Sequence, residues 1–243
     1  MRPKVPWPEP LRGEVRLGVL ILPEQCGPGG RAIWCLAEQA GFAHAWTFDH
    51  LRWRGRPEIP WFDAIVALAE AAVVTSTISF GPLVTTPNFR HPVTLAKQVM
   101  TLDHVSGGRL VLGLGAGAAG DDSLAVGGRE LSAADRACRF EEFTELTDRL
   151  LRERLTTYRG QYFAAAAVSM VPGCLQSPRP PLAIAAPGQR GMKLVARYAD
   201  IWVSNGPAGD PGELTERQAY ADMARQLDQL AKACAVAGRD SRP

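Results

Sequence analysis

The chain has few of the residues that would mark a disulfide-bonded or metal-binding protein. Its five cysteines are scattered and include no CxxC pair, which excludes a zinc site of the usual spacing and favours reduced thiols. No group of histidines and carboxylates has metal-ligand spacing, and no GxSxG motif is present. We therefore expect neither a metal centre nor serine-hydrolase chemistry.

Strong charge and long apolar runs are also lacking. The 27 lysines and arginines nearly balance the 25 aspartates and glutamates, for a net charge of +2, and no basic stripe indicates a nucleic-acid partner. The proline-rich, charged N-terminus lacks the apolar core of a signal peptide. The weakly polar stretch 162–175 is too short to cross a bilayer. These absences predict a cytoplasmic protein that contacts neither nucleic acid nor a membrane.

Short apolar runs alternate along the chain with segments of helical periodicity. The predicted strands are 15–22, 43–48, 77–84, 109–112, 182–186 and 200–204. The predicted helices are 29–41, 62–74, one that begins at Pro92 and ends before a diglycine turn, 135–154, 189–198 and 214–237. Because the strands are almost continuously apolar, the pattern favours a parallel sheet that is covered on both faces.

The length of 243 residues suits one large α/β domain. We assign residues 1–243 to this domain, with 1–14 as an N-terminal extension and 118–134 and 155–178 as insertions or loops. The six predicted βα units are two fewer than a closed (β/α)₈ barrel needs. The pattern leaves open a truncated barrel, a barrel that a partner completes, or an open sheet.

Asp49 and His50 follow the second predicted strand, where polar residues of a parallel α/β protein meet a ligand. A histidine titrates near neutral pH, so His50 is a candidate acid or base. The alternative is that the two residues only cap the next segment through local hydrogen bonds. Trp53 and Trp61 flank the following loop and either wall a substrate pocket or pack against helices.

Glycines follow the fourth predicted strand. Gly113, Gly115 and Ala118 satisfy a loose GxGxxA pattern, which is typical of dinucleotide binding. We expect no helix to begin directly after them, however, so no helix N-terminus would be placed to bind a pyrophosphate. The preferred interpretation is that Gly117 allows a bound group to approach the backbone closely.

Small residues also separate the fifth predicted strand from its helix. Ala185, Ala186, Pro187 and Gly188 would let a phosphate approach, and the free amides of the first helical turn would bind it. Arg190 adds a positive charge. The alternative is an ordinary tight connection.

Taken together, the motifs resemble the bacterial luciferase-like monooxygenase family, especially its members that use the deazaflavin coenzyme F420. The resemblance covers roughly residues 15–205. The residues that carry it are Trp46–His50, Gly81–Pro87, Arg90–Pro92, Leu102–Arg109, Gly113–Gly117, Pro180–Ala186 and Ala199–Trp202. It implies a (β/α)₈ barrel with an insertion, of which this sequence has about six βα units and lacks the last two.

The resemblance also implies a cofactor site at the carboxyl ends of the strands. His50 would be the acid or base, and Asp49 would contact or orient the ring. A non-prolyl cis peptide is implied at Leu83–Val84, where Thr85 would also approach the ring. Gly117 would contact the cofactor tail together with Asp121, which occupies a position where the family has asparagine. The phosphate would lie at Ala185, Ala186, Pro187, Gly188 and Arg190.

These inferences predict an oxidoreductase that transfers hydride between coenzyme F420 and a small organic substrate. One alternative is an FMN-dependent monooxygenase that uses O₂ and receives reduced flavin from a partner reductase. Another is a flavin-binding protein whose missing strands have impaired catalysis. Exposed sheet edges and apolar helix faces also predict a homodimer.

Overall fold

The computed structural model describes residues 15–53, 55–204 and 215–240. The strands are β1 (Gly18–Leu20), β2 (His44–Thr47), β3 (Ser79–Pro82), β4 (Leu112–Gly115), β5 (Leu155–Arg159), β6 (Ala164–Ser169), β7 (Leu182–Ala185) and β8 (Ile201–Val203). The helices are α1 (Pro28–Gln39), α2 (Ala64–Val74), α3 (Pro92–Val105), α4 (Asp121–Ala125), α5 (Ala133–Arg152), α6 (Gln189–Tyr198) and α7 (Glu216–Val236). All six predicted strand–helix units are present, mostly with shorter strands.

Six of the strands are parallel and form two sheets, β1–β2–β3 and β4–β7–β8. Isolated bridges join β3 to β4. Phe80 donates its backbone N–H to the Arg109 carbonyl at 3.2 Å, and Thr85 donates to Gly113 at 2.8 Å. The six strands therefore form one arc whose carboxyl ends share an edge, as predicted. Among the described strands β1 does not pair with β8, so the arc is not a closed barrel.

Two apolar layers flank this arc. The larger layer lies between the strands and the helices and contains Phe80, Leu95 and Phe143, all fully buried. The smaller layer, on the inner side, consists of Trp46, Val111 and Ala183. Helical spacing predicts one inward face for α3 and one for α5. Both predictions are confirmed, because the residues that define these faces are all buried: Leu95, Val99, Leu102, Phe140, Phe143, Thr147 and Leu150.

Helical spacing in the last helix predicts an inner face of Met223, Leu227, Leu230 and Cys234, and this prediction is partly wrong. Met223 and Leu227 are 37% and 51% exposed, whereas Gln226 and Cys234 are buried. The helix packs against α6, and the buried Gln226 donates its amide N–H to Asp222 at 2.6 Å. A periodicity that counts only apolar residues misses a face that contains a hydrogen-bonded glutamine. The predicted start of this helix at residue 214 and the predicted extension 1–14 lie outside the described residues.

The fourth strand begins three residues later than predicted. Gly113 and Gly115 belong to β4 rather than to a loop. A Cβ atom at Gly113 would lie 2.0 Å from the carbonyl oxygen of Pro82 on β3, so glycine allows the two backbones to approach. Arg109 precedes the strand and is buried, and its guanidinium donates to the carbonyls of Ala72, Thr75 and Ile78.

The two predicted insertions contain regular structure. Residues 155–178 include the antiparallel hairpin of β5 and β6. Residues 118–134 include the short helix α4, which the sequence did not predict. Its first turn carries Asp121 and Asp122, and acidic residues are favourable at a helix N-terminus.

Within the described chain, no helix combines the length and apolar character needed to cross a bilayer.

At the amino ends of the strands, Glu38 connects α1 to the segment before β3. Its carboxylate accepts backbone N–H groups from Ser76, Thr77 and Ile78 at 2.6–3.1 Å. Partial burial alone would raise the pKa of Glu38, but these hydrogen bonds outweigh it and lower the pKa to about 2.

We predict that Glu38→Gln lowers the free energy of unfolding by about 1 kcal/mol at neutral pH, because three donors lose an ionised acceptor that is partly exposed. The folded-state pKa lies below the usual value of 4.5. The contribution is therefore complete above that value and is lost as the pH falls towards 2. Urea unfolding at several pH values measures this difference, and a constant difference down to pH 2 would contradict the assignment.

Candidate active site

The carboxyl ends of the parallel strands surround a cleft of about 730 Å³, a size typical of cofactor and substrate sites. Its lining residues are Phe48, His50, Trp53, Leu83, Val84, Thr86, Gly115, Ala116, Gly117, Ala118, Ala185 and Pro187. Seven of the predicted site residues are among them: His50, Trp53, Leu83, Val84, Gly117, Ala185 and Pro187. Residues at the carboxyl ends of β2, β3, β4 and β7 thus meet at one site.

The alternation of side chains along β2 decides which residues face this cleft. Trp46 belongs to the inner apolar layer and Ala45 to the layer under the helices. Just beyond the strand, Phe48 and His50 lie on the inner side and line the cleft. Asp49 lies on the opposite side and is fully buried, as the two-residue period of an extended chain requires.

The partner of His50 is a residue that no sequence motif indicates. Nδ1 of His50 lies 2.7 Å from Oδ2 of Asp122, the second residue of α4. The other carboxylate oxygen of Asp122 accepts the backbone N–H of Leu51 at 3.0 Å. The Phe48 ring meets the imidazole edge to face at 6.4 Å. The partner of His50 is 72 residues away in sequence, so local capping does not describe this side chain.

Asp49 binds protein groups behind the cleft wall. Its carboxylate accepts the Thr85 hydroxyl at 2.8 Å and the Arg90 guanidinium at 2.6 and 3.1 Å. Arg90 also pairs with Asp63, the N-cap of α2, at 2.7 Å. Burial raises the pKa of Asp49, although the bonds from Arg90 and Thr85 act in the opposite direction. Neither Asp49 nor Thr85 lines the cleft, and their contact with a cofactor stays a prediction.

The Leu83–Val84 peptide bond is cis, as the resemblance implies. Val84 lines the cleft opposite the end of β4. A Cβ atom at Gly115 would lie 2.4 Å from a methyl group of Val84, so only glycine fits beside it. These residues form the floor of the cleft.

Gly117 has a φ of +74°, a conformation that favours glycine. The Asn88 side chain lies beside it and donates to the carbonyl of Ala118 at 2.9 Å. Asp121 lies on α4 and is not among the cleft-lining residues. The expectation that no helix begins after these glycines is wrong, since α4 begins at Asp121.

The predicted phosphate site adjoins the cleft. A smaller cavity of about 160 Å³ shares Ala185 and Pro187 with it and is also lined by Ala186, Gly188 and Arg190. Gly188 is the N-cap of α6 and provides no side-chain cap, so the amides of the first turn are open to a ligand.

The sequence predicts that Arg190 offers its positive charge to a phosphate, but the structure pairs this side chain with a carboxylate. Its guanidinium donates to the two oxygens of Glu141 on α5 at 2.5 and 2.7 Å. The hydrogen bonds from Arg190 to Glu141 and Cys138 raise its pKa, and the carboxylate neutralises the charge that an anion would meet. The sequence could not show this pair, because its members are 49 residues apart.

Trp53 and Trp61 have different positions. Trp53 lines the cleft and stacks on Phe48, with ring centroids 5.7 Å apart and an interplanar angle of 4°. Trp61 lies behind it at 5.2 Å and donates its indole N–H to the carbonyl of His50 at 2.9 Å. Trp53 thus forms a wall, and Trp61 supports the wall and the histidine backbone.

The described residues contain no cluster of three or more potential metal ligands.

The fold defines an α/β protein with a cleft at the carboxyl ends of its strands, which is the usual position of an active site in barrel enzymes. Two solved structures share the fold. The monooxygenase RslO1 from Streptomyces bottropensis superposes with a TM-score of 0.76 and 26% identity, covering 94% of this chain and 68% of that one. The coenzyme F420-dependent tetrahydromethanopterin reductase from Methanopyrus kandleri has a TM-score of 0.73 and 24% identity, covering 94% and 63%.

Residues 30–242 match the luciferase-like monooxygenase family, and the chain belongs to this family. Its curated relatives include the F420-dependent hydroxymycolic acid dehydrogenase of Mycobacterium tuberculosis, 33% identical over 184 residues, covering 69% of this chain and 46% of that protein. The F420-dependent glucose-6-phosphate dehydrogenase of Microbacterium testaceum is 29% identical over 211 residues, covering 84% and 60%. The chain spans about half the length of the curated relatives it matches. These findings confirm the family, and the relatives' names support its F420-dependent branch.

We predict that Arg90→Met lowers the free energy of unfolding by about 3 kcal/mol, because it leaves the fully buried Asp49 carboxylate without its charged partner. The double variant Asp49→Asn with Arg90→Met should recover part of this loss, since it also removes the buried charge. Denaturant unfolding of both single variants and the double variant gives the coupling free energy. Strictly additive losses would show that the pair does not organise this region.

Proposed function

We propose that this protein is an oxidoreductase in which hydride passes between coenzyme F420 and a small organic substrate. The observation that carries the proposal is the position of His50, which lines a strand-end cleft and is bound by a buried carboxylate. The names of the F420-dependent relatives support the choice of cofactor. We further propose that the six-stranded arc corresponds to six of the eight units of a luciferase-like barrel, since it covers about two thirds of the matching structures.

The residues of the cleft fit a flat ring with a phosphate-bearing tail. The floor beside Val84 has no side chain at Gly115 or Gly117, and any Cβ atom there would meet a neighbour at 2.4 or 2.6 Å. The stacked Phe48 and Trp53 form an apolar wall. The open amides after Gly188 suit a phosphate. Leu83, Val84 and Gly117 would hold the ring side, and Ala185–Gly188 the phosphate.

When bound, the deazaflavin supplies the hydride chemistry. The protein supplies position, exclusion of water and a proton. His50 gives or takes a proton through its imidazole Nε2, because its Nδ1 is bound to Asp122. Phe48 and Trp53 exclude water from one side of the cleft. Asp49 and Thr85 act from behind the wall by fixing the ends of β2 and β3.

An FMN-dependent monooxygenase is the second candidate, with reduced flavin from a partner reductase. The similarity to RslO1, which is named a monooxygenase, supports the monooxygenase part of this candidate. Titration of the purified protein with F420 and with FMN distinguishes the two, because each has its own visible spectrum. Tighter binding of FMN together with oxygen-dependent turnover would contradict the first proposal and support the second.

A homodimer and a cytoplasmic location stay predictions.

We predict that His50→Gln keeps F420 binding within about threefold and lowers kcat by about 100-fold or more, because it removes a proton donor without removing the floor or the phosphate site. F420 titration measures binding, and loss of F420 absorbance with a panel of hydroxyl-bearing substrates measures turnover. His104→Gln is a matched control, since His104 is exposed on α3. Binding without turnover in the parent chain would instead support an impaired flavin-binding protein.

We predict that Gly117→Ala weakens F420 binding by about tenfold, because the new methyl group meets Asn88 and the positive φ disfavours alanine. Gly107→Ala is the matched control. Gly107 also has a positive φ, of +66°, but a Cβ atom added there would meet nothing within 4 Å. Gly107 lies at the opposite end of β4 from Gly117. Equal affinities for F420 in the two variants would contradict a cofactor contact at Gly117.

A further inference from the structure

Asp122 is a buried carboxylate with a defined partner for each oxygen. It is 6% exposed. Its Oδ2 lies 2.7 Å from Nδ1 of His50, and its Oδ1 accepts the N–H of Leu51 at 3.0 Å. The second bond fixes the carboxylate relative to the same chain segment that carries the histidine. Both oxygens of the Asp122 carboxylate are therefore fixed by hydrogen bonds.

This geometry determines which nitrogen of the imidazole carries the proton. An ionised carboxylate only accepts hydrogen bonds, so the Nδ1 that faces Asp122 must be the donor. In the neutral ring the other nitrogen, Nε2, is then an acceptor. Because His50 lines the cleft, Nε2 is the nitrogen left to exchange a proton with a ligand there.

We propose that Asp122 is a positioning residue that fixes the Nδ1–H tautomer of His50 and directs Nε2 to the reacting group. The inference rests on the proposed function for the role of His50 as acid or base. The tautomer itself rests only on the contacts among Asp122, His50 and Leu51. It can therefore be tested in the protein without cofactor.

Asp122→Asn should invert the tautomer, and Leu51 is the reason. The Leu51 N–H needs an acceptor, so the amide oxygen of the new side chain takes the position of Oδ1. The amide NH₂ group then faces Nδ1 of His50, which must accept rather than donate. The proton moves to Nε2, and the nitrogen at the cleft loses its lone pair.

Nitrogen-15 NMR of the imidazole rings measures this directly in the cofactor-free full chain. The protein has four histidines, and His50→Gln assigns the His50 signals by their disappearance. At a pH at which the ring is neutral, we expect Nδ1–H in the parent chain and Nε2–H in Asp122→Asn. Asp228→Asn makes the same chemical change at an exposed pair on α7 and should leave the His50 signals unchanged.

Kinetics provide the second test. Asp122→Asn should lower kcat by about 100-fold or more with F420, because the wrong tautomer is presented, while KM for F420 changes by less than about threefold. Asp122→Glu keeps an ionised acceptor and should restore the Nδ1–H tautomer and part of kcat. A structural defect alone would lower the thermal stability of both variants and would not separate Asn from Glu.

The outcomes separate this inference from the proposed function. An Nε2–H tautomer in the parent chain, or an unchanged tautomer in Asp122→Asn, overturns the positioning role, even where F420 turnover is observed. The expected tautomers without turnover of any F420 substrate overturn the proposed function and leave the Asp122 assignment in place. If Asp122→Asn does not fold, the tautomer of His50 in the parent chain and in Asp122→Glu still tests the positioning role.

Discussion

The buried ion pair of Asp49 and Arg90 is the constraint on which the geometry of the cleft depends. Its carboxylate is fully excluded from solvent and is bound by Arg90 from before α3 and by Thr85 from after β3. Three chain segments are thereby fixed against one another at the point where β2 ends. Because side chains alternate along an extended chain, placing Asp49 under the helices places His50 in the cleft.

The two ends of the parallel strands serve different purposes. At the amino ends, Glu38 and Arg109 bind backbone groups of the segments around α2 and β3, and these contacts stabilise the connections. At the carboxyl ends, small residues such as Gly115 and Ala185 leave space, and His50 and Trp53 face it. In (β/α) barrels, residues at one end of the strands generally serve stability and the active site lies at the other end. The open arc has its cleft at the same end.

Local patterns predicted the fold well. Apolar runs and helical periodicity identified each of the six strand–helix units, because both signals lie within a dozen residues. The start of β4 was misplaced, since Gly113 and Gly115 resemble a loop until the backbone of β3 is placed beside them. The short helix α4 was missed, although two acidic residues after Gly120 are a recognisable start.

The candidate site was predicted less completely, for a different reason. The predicted site residues follow from strand ends and from the family motifs, and seven of them line one cleft. Their partners do not follow from either. Glu141 neutralises Arg190 and Asp122 binds His50 across 49 and 72 residues of sequence, and no local pattern encodes such pairs. The cis bond at Leu83 was expected only from the resemblance.

The connection from β4 to β7 has a consequence for how such proteins diversify. Because these two strands are parallel neighbours in the sheet, the chain between them leaves at the carboxyl end of β4 and re-enters at the amino end of β7. The hairpin of β5 and β6 lies entirely within this excursion. The two ends of the hairpin lie side by side, where Leu155 pairs with Ser169, so its length and composition can change over evolution at a small entropic cost without altering the register of the strands that form the floor. A lineage of such proteins can vary this hairpin while the floor of the cleft stays the same.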